Sequence, residues 1–318
     1  MKINKLYFFY GDNVRDSPIK TNTMQSLQKG AEVLGIPTEK VIQHGSSLML
    51  KQKKDYDFIS KNEYAVQLAY LPQRDRAIEQ KFKQNVFFVD RNIMQDYQKD
   101  LSNKRYYRIS SGSIYYELSK KNNVPNDILK TKQKNFYEDF NINLNKKQTE
   151  GKNILILFNK PDGFGTKDIH GRAINWGFKK IKELRSAGFQ NRIDMKFHPA
   201  THGEVKKEAV VKAKDAFGNV CLLNGKFIYD TFKKDEYLCA ITYNSSAIIP
   251  CFLEGIPIWV DCPTNILYKY SHIKKISDIN NLHININNRQ QFLNECIECL
   301  WSVEDMKKGL VWKAYLQT

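Results

Sequence analysis

The sequence predicts an α/β protein built from two Rossmann-like domains that face a cleft. Three observations lead there. The chain has 318 residues, room for two domains at about 150 residues each. Short apolar runs alternate with stretches of helical period in both halves, the pattern of βα units on parallel sheets. Between the halves, residues 131–152 (TKQKNFYEDFNINLNKKQTEGK) are polar, rich in Asn and Lys, and lack a sustained apolar period. They read as a boundary, alone or with one short helix. The expected division is 1–145, 146–300 and a C-terminal helix over 301–318 that returns to brace the first domain, with Trp312 as its anchor.

In chain order, Lys5 to Tyr10 is an apolar strand ending in Gly11-Asp12-Asn13, and Thr21 to Leu34 a helix closed by Gly35. A short strand follows near Val41. Lys51 to Lys61 is polar and irregular. Tyr64 to Tyr70 reads as a strand, Arg74 to Gln84 as a charged helix, and Val86 to Asp90 (VFFVD) as a buried strand. The second half repeats the logic. Strands are expected at Asn153–Phe158, Ile193–Phe197, Val220–Leu223, Tyr237–Thr242 and Ile256–Val260. Helices are expected at Asp168–Arg185, at Gly203–Ala216 and from the 243–246 turn through Leu253. The last 30 residues read as helical.

Composition excludes several classes. Hydrophobic residues make up 42% and charged residues 26%, ordinary for a globular protein and unlike collagen, a coiled coil or a disordered chain. No apolar run approaches the ~20 residues of a membrane span. LYFFY near the start is too short for a signal-peptide core. All six cysteines lie at or beyond Cys221, which argues against a disulfide framework and for a reducing cytoplasm. Cys296 and Cys299 share a helical face and read as core. Lys plus Arg is 50 against 34 Asp plus Glu, a net charge of +16. Both halves carry the excess, so it is no basic tail. Such a balance suits nucleic acid, nucleotide phosphates or an anionic lipid surface; a coding bias toward Lys, Asn, Ile and Tyr produces the same number.

Open parallel sheets hold ligands beyond the carboxyl ends of their strands. Four such points are polar here: Gly11-Asp12-Asn13, Asn159-Lys160 with the Pro-Asp-Gly that follows, Lys196-Phe197-His198-Pro199, and Tyr243-Asn244-Ser245-Ser246. The last opens a helix, where free backbone N–H groups and two hydroxyls suit a phosphate or diphosphate. Plain N-capping by serine is the alternative. Lys196 and His198 on a neighbouring strand end favour phosphate.

The stretches ILILFNKPDG, KFHP, YNSSAIIPCFLEGIPIWVD and WSVEDMKKGLVWKAYL, with Asn175-Trp176 between the first two, resemble nucleotide-sugar glycosyltransferases of the GT-B architecture. More narrowly they are similar to phage DNA-modifying and capsule or Kdo-type transferases. The resemblance implies a donor substrate, a nucleotide-diphosphate sugar such as a UDP-sugar, and no permanently bound cofactor and no metal. It implies donor contacts from Asn159, Lys160, Lys196, His198, Tyr243, Asn244, Ser245, Ser246 and Glu254. Relatives carry a Glu five residues before the Gly of Gly-x-Pro; here Pro250 stands in that place and the acid is Glu254. An inverting transfer needs a base for the acceptor hydroxyl. Asp12 and Asp90, both at strand ends, are the candidates, with turn or cap acids as the alternative.

The acceptor expected from this resemblance and the charge is a hydroxymethylated pyrimidine in duplex DNA. Lys51, Lys53, Lys54, Arg105 and Arg108 are the phosphate-contact candidates, although Arg108 and its tyrosine neighbours also read as a half-buried strand. A transferase of surface polysaccharide, with peripheral membrane contact, is the rival reading. A nucleic-acid-binding protein with a GT-B-like shell and no activity is a third. Asp55-Tyr56-Asp57 has the DxD form of a metal motif but lies in a Lys-rich polar stretch. Gly163-Phe164-Gly165 lacks the Lys-Ser/Thr of a P-loop.

Overall fold

The computed structural model describes residues 2–11, 18–43, 60–68, 85–91, 106–111, 124–140, 142, 150–159, 173–225, 228, 233–263, 265–280, 282 and 286–316. The chain forms two compact units. The first comprises the chain up to Asn141, except 96–99, and resumes at Leu293; the second runs Ile142–Phe292.

The first unit contains β1 (Lys5–Gly11), α1 (Pro18–Val33), β2 (Thr38–Gln43), β3 (Glu63–Leu68), β4 (Val86–Arg91), β5 (Tyr106–Ser111) and α2 (Asn126–Phe140). The second contains β6 (Asn153–Leu157), α3 (Ala173–Ser186), β7 (Ile193–Lys196), α4 (Gly203–Phe217), β8 (Val220–Leu222), β9 (Tyr237–Thr242), α5 (Ile248–Leu253) and β10 (Ile258–Val260). Helix α6 (Ile286–Cys299) then leads back to the first unit. There β11 (Leu300–Ser302), α7 (Val303–Lys307) and α8 (Leu310–Leu316) complete it.

The first sheet has the order β11-β5-β4-β3-β1-β2 and the second β10-β9-β6-β7-β8. The second sheet is parallel throughout. In the first, β1 to β4 are parallel, while β5 runs antiparallel to β4 and β11 antiparallel to β5. The α/β class with two Rossmann-like units and a returning C-terminal segment is the one the sequence predicts. Local signals explain the elements. Strands such as β6 are continuous apolar runs, buried on both faces as parallel strands must be. Gly35 closes α1 at φ 69° and Gly188 follows α3 at φ 87°, the left-handed backbone that glycine adopts without a Cβ clash.

Two readings need correction. The polar stretch from 131 is not a linker at its start: residues 126–140 form the 15-residue α2, which buries Ile128, Lys132, Phe136 and Phe140. A lysine on the inward face interrupts the apolar period and hides the helix. The C-terminal region is also not helical throughout, because β11 adds a three-residue strand to β5. A strand that short leaves no alternating pattern. The expected helix over Arg74–Gln84 lies outside the described residues.

The C-terminal segment enters the first unit's core. Trp312 is fully buried, its indole Nε1 donates to the Leu27 carbonyl at 2.8 Å, and its ring meets Phe87 edge-on at 5.2 Å. Asp305 and Ser302 form a capping box at the start of α7, satisfying two orphan amides.

Candidate functional site

The carboxyl ends of β6, β7, β9 and β10 bring most of the sequence-predicted donor residues to one edge of the second sheet. Asn159 follows β6; its Oδ1 accepts the Asn244 backbone N–H at 3.0 Å. Asn244 follows β9; its own Oδ1 accepts from Asn265 Nδ2 at 2.9 Å. The Asn244 side-chain nitrogen Nδ2 is buried and has no hydrogen-bond partner among the described residues. Thr242 ties the two strand ends, donating to the Leu157 carbonyl at 2.8 Å and accepting the Ser245 N–H at 3.0 Å.

The serine turn differs from a free helix start. The amides of Asn244, Ser245, Ala247, Ile248 and Ile249 are all engaged, the third by the Ser245 hydroxyl at 3.3 Å. Ser245 therefore supports the turn before α5, close to the capping reading, and Ser246 is exposed. Glu254 lies at the other end of α5, about 9 Å along the axis at 1.5 Å per residue. Its charge acts on the buried Arg289 guanidinium, and the strand-end cluster does not include it.

The β7–α4 turn is the more open one. The His198 ring Nδ1 accepts the Ala200 N–H at 3.0 Å. Thr201 is 6% exposed and its hydroxyl has no partner among the described residues. His202 precedes α4 and makes no side-chain cap, so the first amides of this 15-residue helix have no capping side chain. Lys196 is buried and its ammonium donates to the Gly225 carbonyl, anchoring the segment after β8.

A further group was missed in the sequence. Asp261 follows β10, and its Oδ2 accepts from Trp176 Nε1 at 2.8 Å and from Lys180 Nζ at 2.9 Å. Lys180 also reaches Glu183 at 3.2 Å and lies over the Trp259 ring at 4.1 Å. Trp176 meets Tyr243 edge-on at 6.2 Å. The signal was present: IWVD puts an acid directly after a strand.

Helix α3 approaches this edge closely because Gly177 has no side chain. A Cβ there would lie 2.3 Å from the Phe158 ring, which itself stacks on Phe197 at 4.4 Å. Gly177→Ala is expected to cost about 1–3 kcal/mol by overpacking, read by urea unfolding.

In the first unit, Asp90 is the next-to-last residue of β4, opposite Arg108, and the two form an ion pair at 2.9 Å. Arg108 is 3% exposed. It is a buried partner of Asp90 and not part of an exposed basic face, so its candidacy for phosphate contact is withdrawn. Asp12, Lys51, Lys53, Lys54, Arg105 and Lys160 lie outside the described residues.

No family model and no curated protein matches the chain. Solved structures similar to it include a KpsC β-Kdo 2,4 transferase from Thermosulfurimonas dismutans. It has 11% identity and a TM-score of 0.49, with 98% of this chain and 99% of that one covered. A glycosyltransferase from Rickettsia africae has 9% identity and a TM-score of 0.37, covering 100% and 98%. A protein from Listeria monocytogenes titled as a UDP-N-acetylglucosamine 2-epimerase has 9% identity and a TM-score of 0.34, also covering 100% and 98%.

Proposed function

We propose that this protein is a glycosyltransferase that uses a nucleotide-sugar donor, with the donor phosphates at the β7–α4 turn. The observation that carries the reading is the turn itself: the Ala200 amide fixes the His198 ring through Nδ1 at 3.0 Å, and the Thr201 hydroxyl, three residues on, is buried with no hydrogen-bond partner among the described residues. The α4 N-terminus adds its dipole. Fixed donors aimed at a leaving phosphate stabilise charge as it develops, which is the largest need of glycosyl transfer. Asn159, Tyr243, Asn244, Ser245 and Ser246 line the same sheet edge. The donor proposed first is a UDP-sugar, and Lys160 belongs to the same proposed donor set. Asp90, oriented by Arg108, and Asp12 are the proposed bases.

The proposed acceptor is a hydroxymethylated pyrimidine in DNA, supported by the +16 charge and the sequence resemblance. Lys51, Lys53, Lys54 and Arg105 are the proposed phosphate contacts. The test is mass spectrometry of nucleosides after incubation of hydroxymethylated DNA with a panel of nucleotide sugars. A hexose or pentose mass added to the modified base supports the reading. Donor hydrolysis without DNA modification redirects it to a polysaccharide acceptor, and inertness toward every donor overturns it. His198→Ala is expected to weaken nucleotide binding about tenfold to a hundredfold, the loss of one hydrogen bond to a charged group, read by calorimetry.

A further inference from the structure

We propose that residues 271–273 are an acid-released latch over the outer edge of β10, with the His272 imidazole as its trigger. Among the described residues β10 is an edge strand of the second sheet, and an open edge presents unpaired amides and carbonyls to other chains. Side chains cover this one. The Ile258 N–H donates to His272 Nδ1 at 3.2 Å, and the Val260 N–H donates to the Ser271 hydroxyl at 3.0 Å. The Ile258 carbonyl in turn accepts the His272 N–H at 2.9 Å. The other edge of β10 pairs with β9, so its two outward amides rest on two side chains. Beyond β10 the Asp261 and Cys262 N–H groups clasp the end of β9. The latch therefore steadies a strand on which the candidate site stands.

One of the two acceptors can be switched. The hydroxyl accepts at any pH. An imidazole that gains a proton carries hydrogen on both nitrogens and accepts nothing, so Nδ1 then turns a donor on the Ile258 donor. The surroundings of the ring also oppose a charge. The Phe252 ring of α5 lies 5.9 Å from it, and Nε2 is buried with no hydrogen-bond partner among the described residues. The charges that act on the ring, Arg289 of α6 and Lys274 of the following segment, are both positive. Glu254, at the end of α5, acts on Arg289. Burial first, and then those two cations, push the imidazole from 6.5 down to about 4. Asp278 accepts the Lys274 and Lys275 N–H groups at 3.0 Å each, and these bonds hold its carboxylate below the usual range. It stays ionised while His272 titrates, and the far end of the strap stays anchored.

The direction follows from the two protonation states. A released ring titrates at its ordinary 6.5. Above that both forms are neutral and the latch holds in full. Between about 6.5 and 4 the released form binds a proton that the latched form lacks. Release is then favoured as pH falls, by up to about tenfold per pH unit, and levels off below that window.

The experiment follows backbone amide hydrogen exchange by NMR from pH 7 to pH 4 in wild type and in His272→Asn, with each rate corrected for the intrinsic effect of pH. Asparagine Oδ1 stands where Nδ1 does and accepts at every pH. Wild type is expected to lose about a hundredfold in protection at Ile258 and Val260, relative to Ile156 of β6, as pH falls through the window. The variant is expected to keep that protection. Should the variant not fold, wild type carries the test alone, because those two amides must open before Ile156. Equal protection in both proteins down to pH 4 overturns the proposal. So does loss of protection at Ile258, Val260 and Ile156 together, which would mean that the sheet opens as one unit.

Discussion

Gly30→Ala is expected to destabilise the protein by about 3 kcal/mol or more, where the same change in an ordinary helix stabilises by about 1 kcal/mol. Gly30 lies inside α1, and a Cβ there would stand 1.9 Å from the Met306 carbonyl oxygen and 3.0 Å from the Gly309 backbone. Gly309 has φ 74°, and its own Cβ would fall 2.6 Å from the Gly30 oxygen. The two helical segments thus touch backbone to backbone, and neither side has a flexible end that yields. Relief requires α7 and α8 to move off α1. That exposes Met306, Val311, Trp312 and Tyr315, all buried in the first unit's core, at about 1.5–3 kcal/mol per large side chain. Urea unfolding followed by tryptophan fluorescence reads the change. A gain in stability on Gly30→Ala would show that the C-terminal segment does not depend on this contact.

The sheets were legible in the sequence because their signal is redundant. NILILF and YLCAIT are apolar on both faces, and a turn signal bounds each, so strand and position are specified together. The same rule led to the polar strand ends, and it located His198 and Asn244. It failed where side chains play two parts. Lys132 sits in a core position and made α2 look like linker. Arg108 looked like a surface cation because nothing in YYRISS tells that Asp90 lies opposite it in the ladder. The serine turn looked like a phosphate cradle because the sequence does not say that Thr242 and Asn159 already take its amides. Gly30 and Gly309 are 279 positions apart, and their contact has no local signature.

Lys132→Met is expected to raise stability at neutral and lower pH and to flatten the dependence of stability on pH. Lys132 is 3% exposed, its ammonium lies 3.3 Å from the Trp301 ring centroid, and it donates to the Glu298 carbonyl at 3.2 Å. Burial pushes its pKa down to about 7; the nearby Cys299, Asp305 and Glu298 oppose that shift without cancelling it. Burial also raises the Cys299 thiol to about 12, against the opposing charges of Arg108 and Lys132. The unfolded lysine titrates at 10.5. Between about 7 and 10.5 the unfolded chain therefore holds a proton that the folded one has lost, and stability rises with pH across that window. Below it both states are protonated and the full cost of the buried charge applies; above it neither is charged and the cost is gone. The span corresponds to an order of 5 kcal/mol. Methionine fills a similar volume without a charge, so the variant's advantage should be largest below pH 7 and shrink toward pH 10. Stability of both proteins by urea unfolding at pH 6, 7, 8 and 9 measures the difference, which removes the contribution of every group the two share. A difference that stays constant over this range would mean that Lys132 keeps its ordinary pKa in the fold. A loss of stability at every pH would mean that the contacts to Trp301 and Glu298 outweigh the desolvation of the amine.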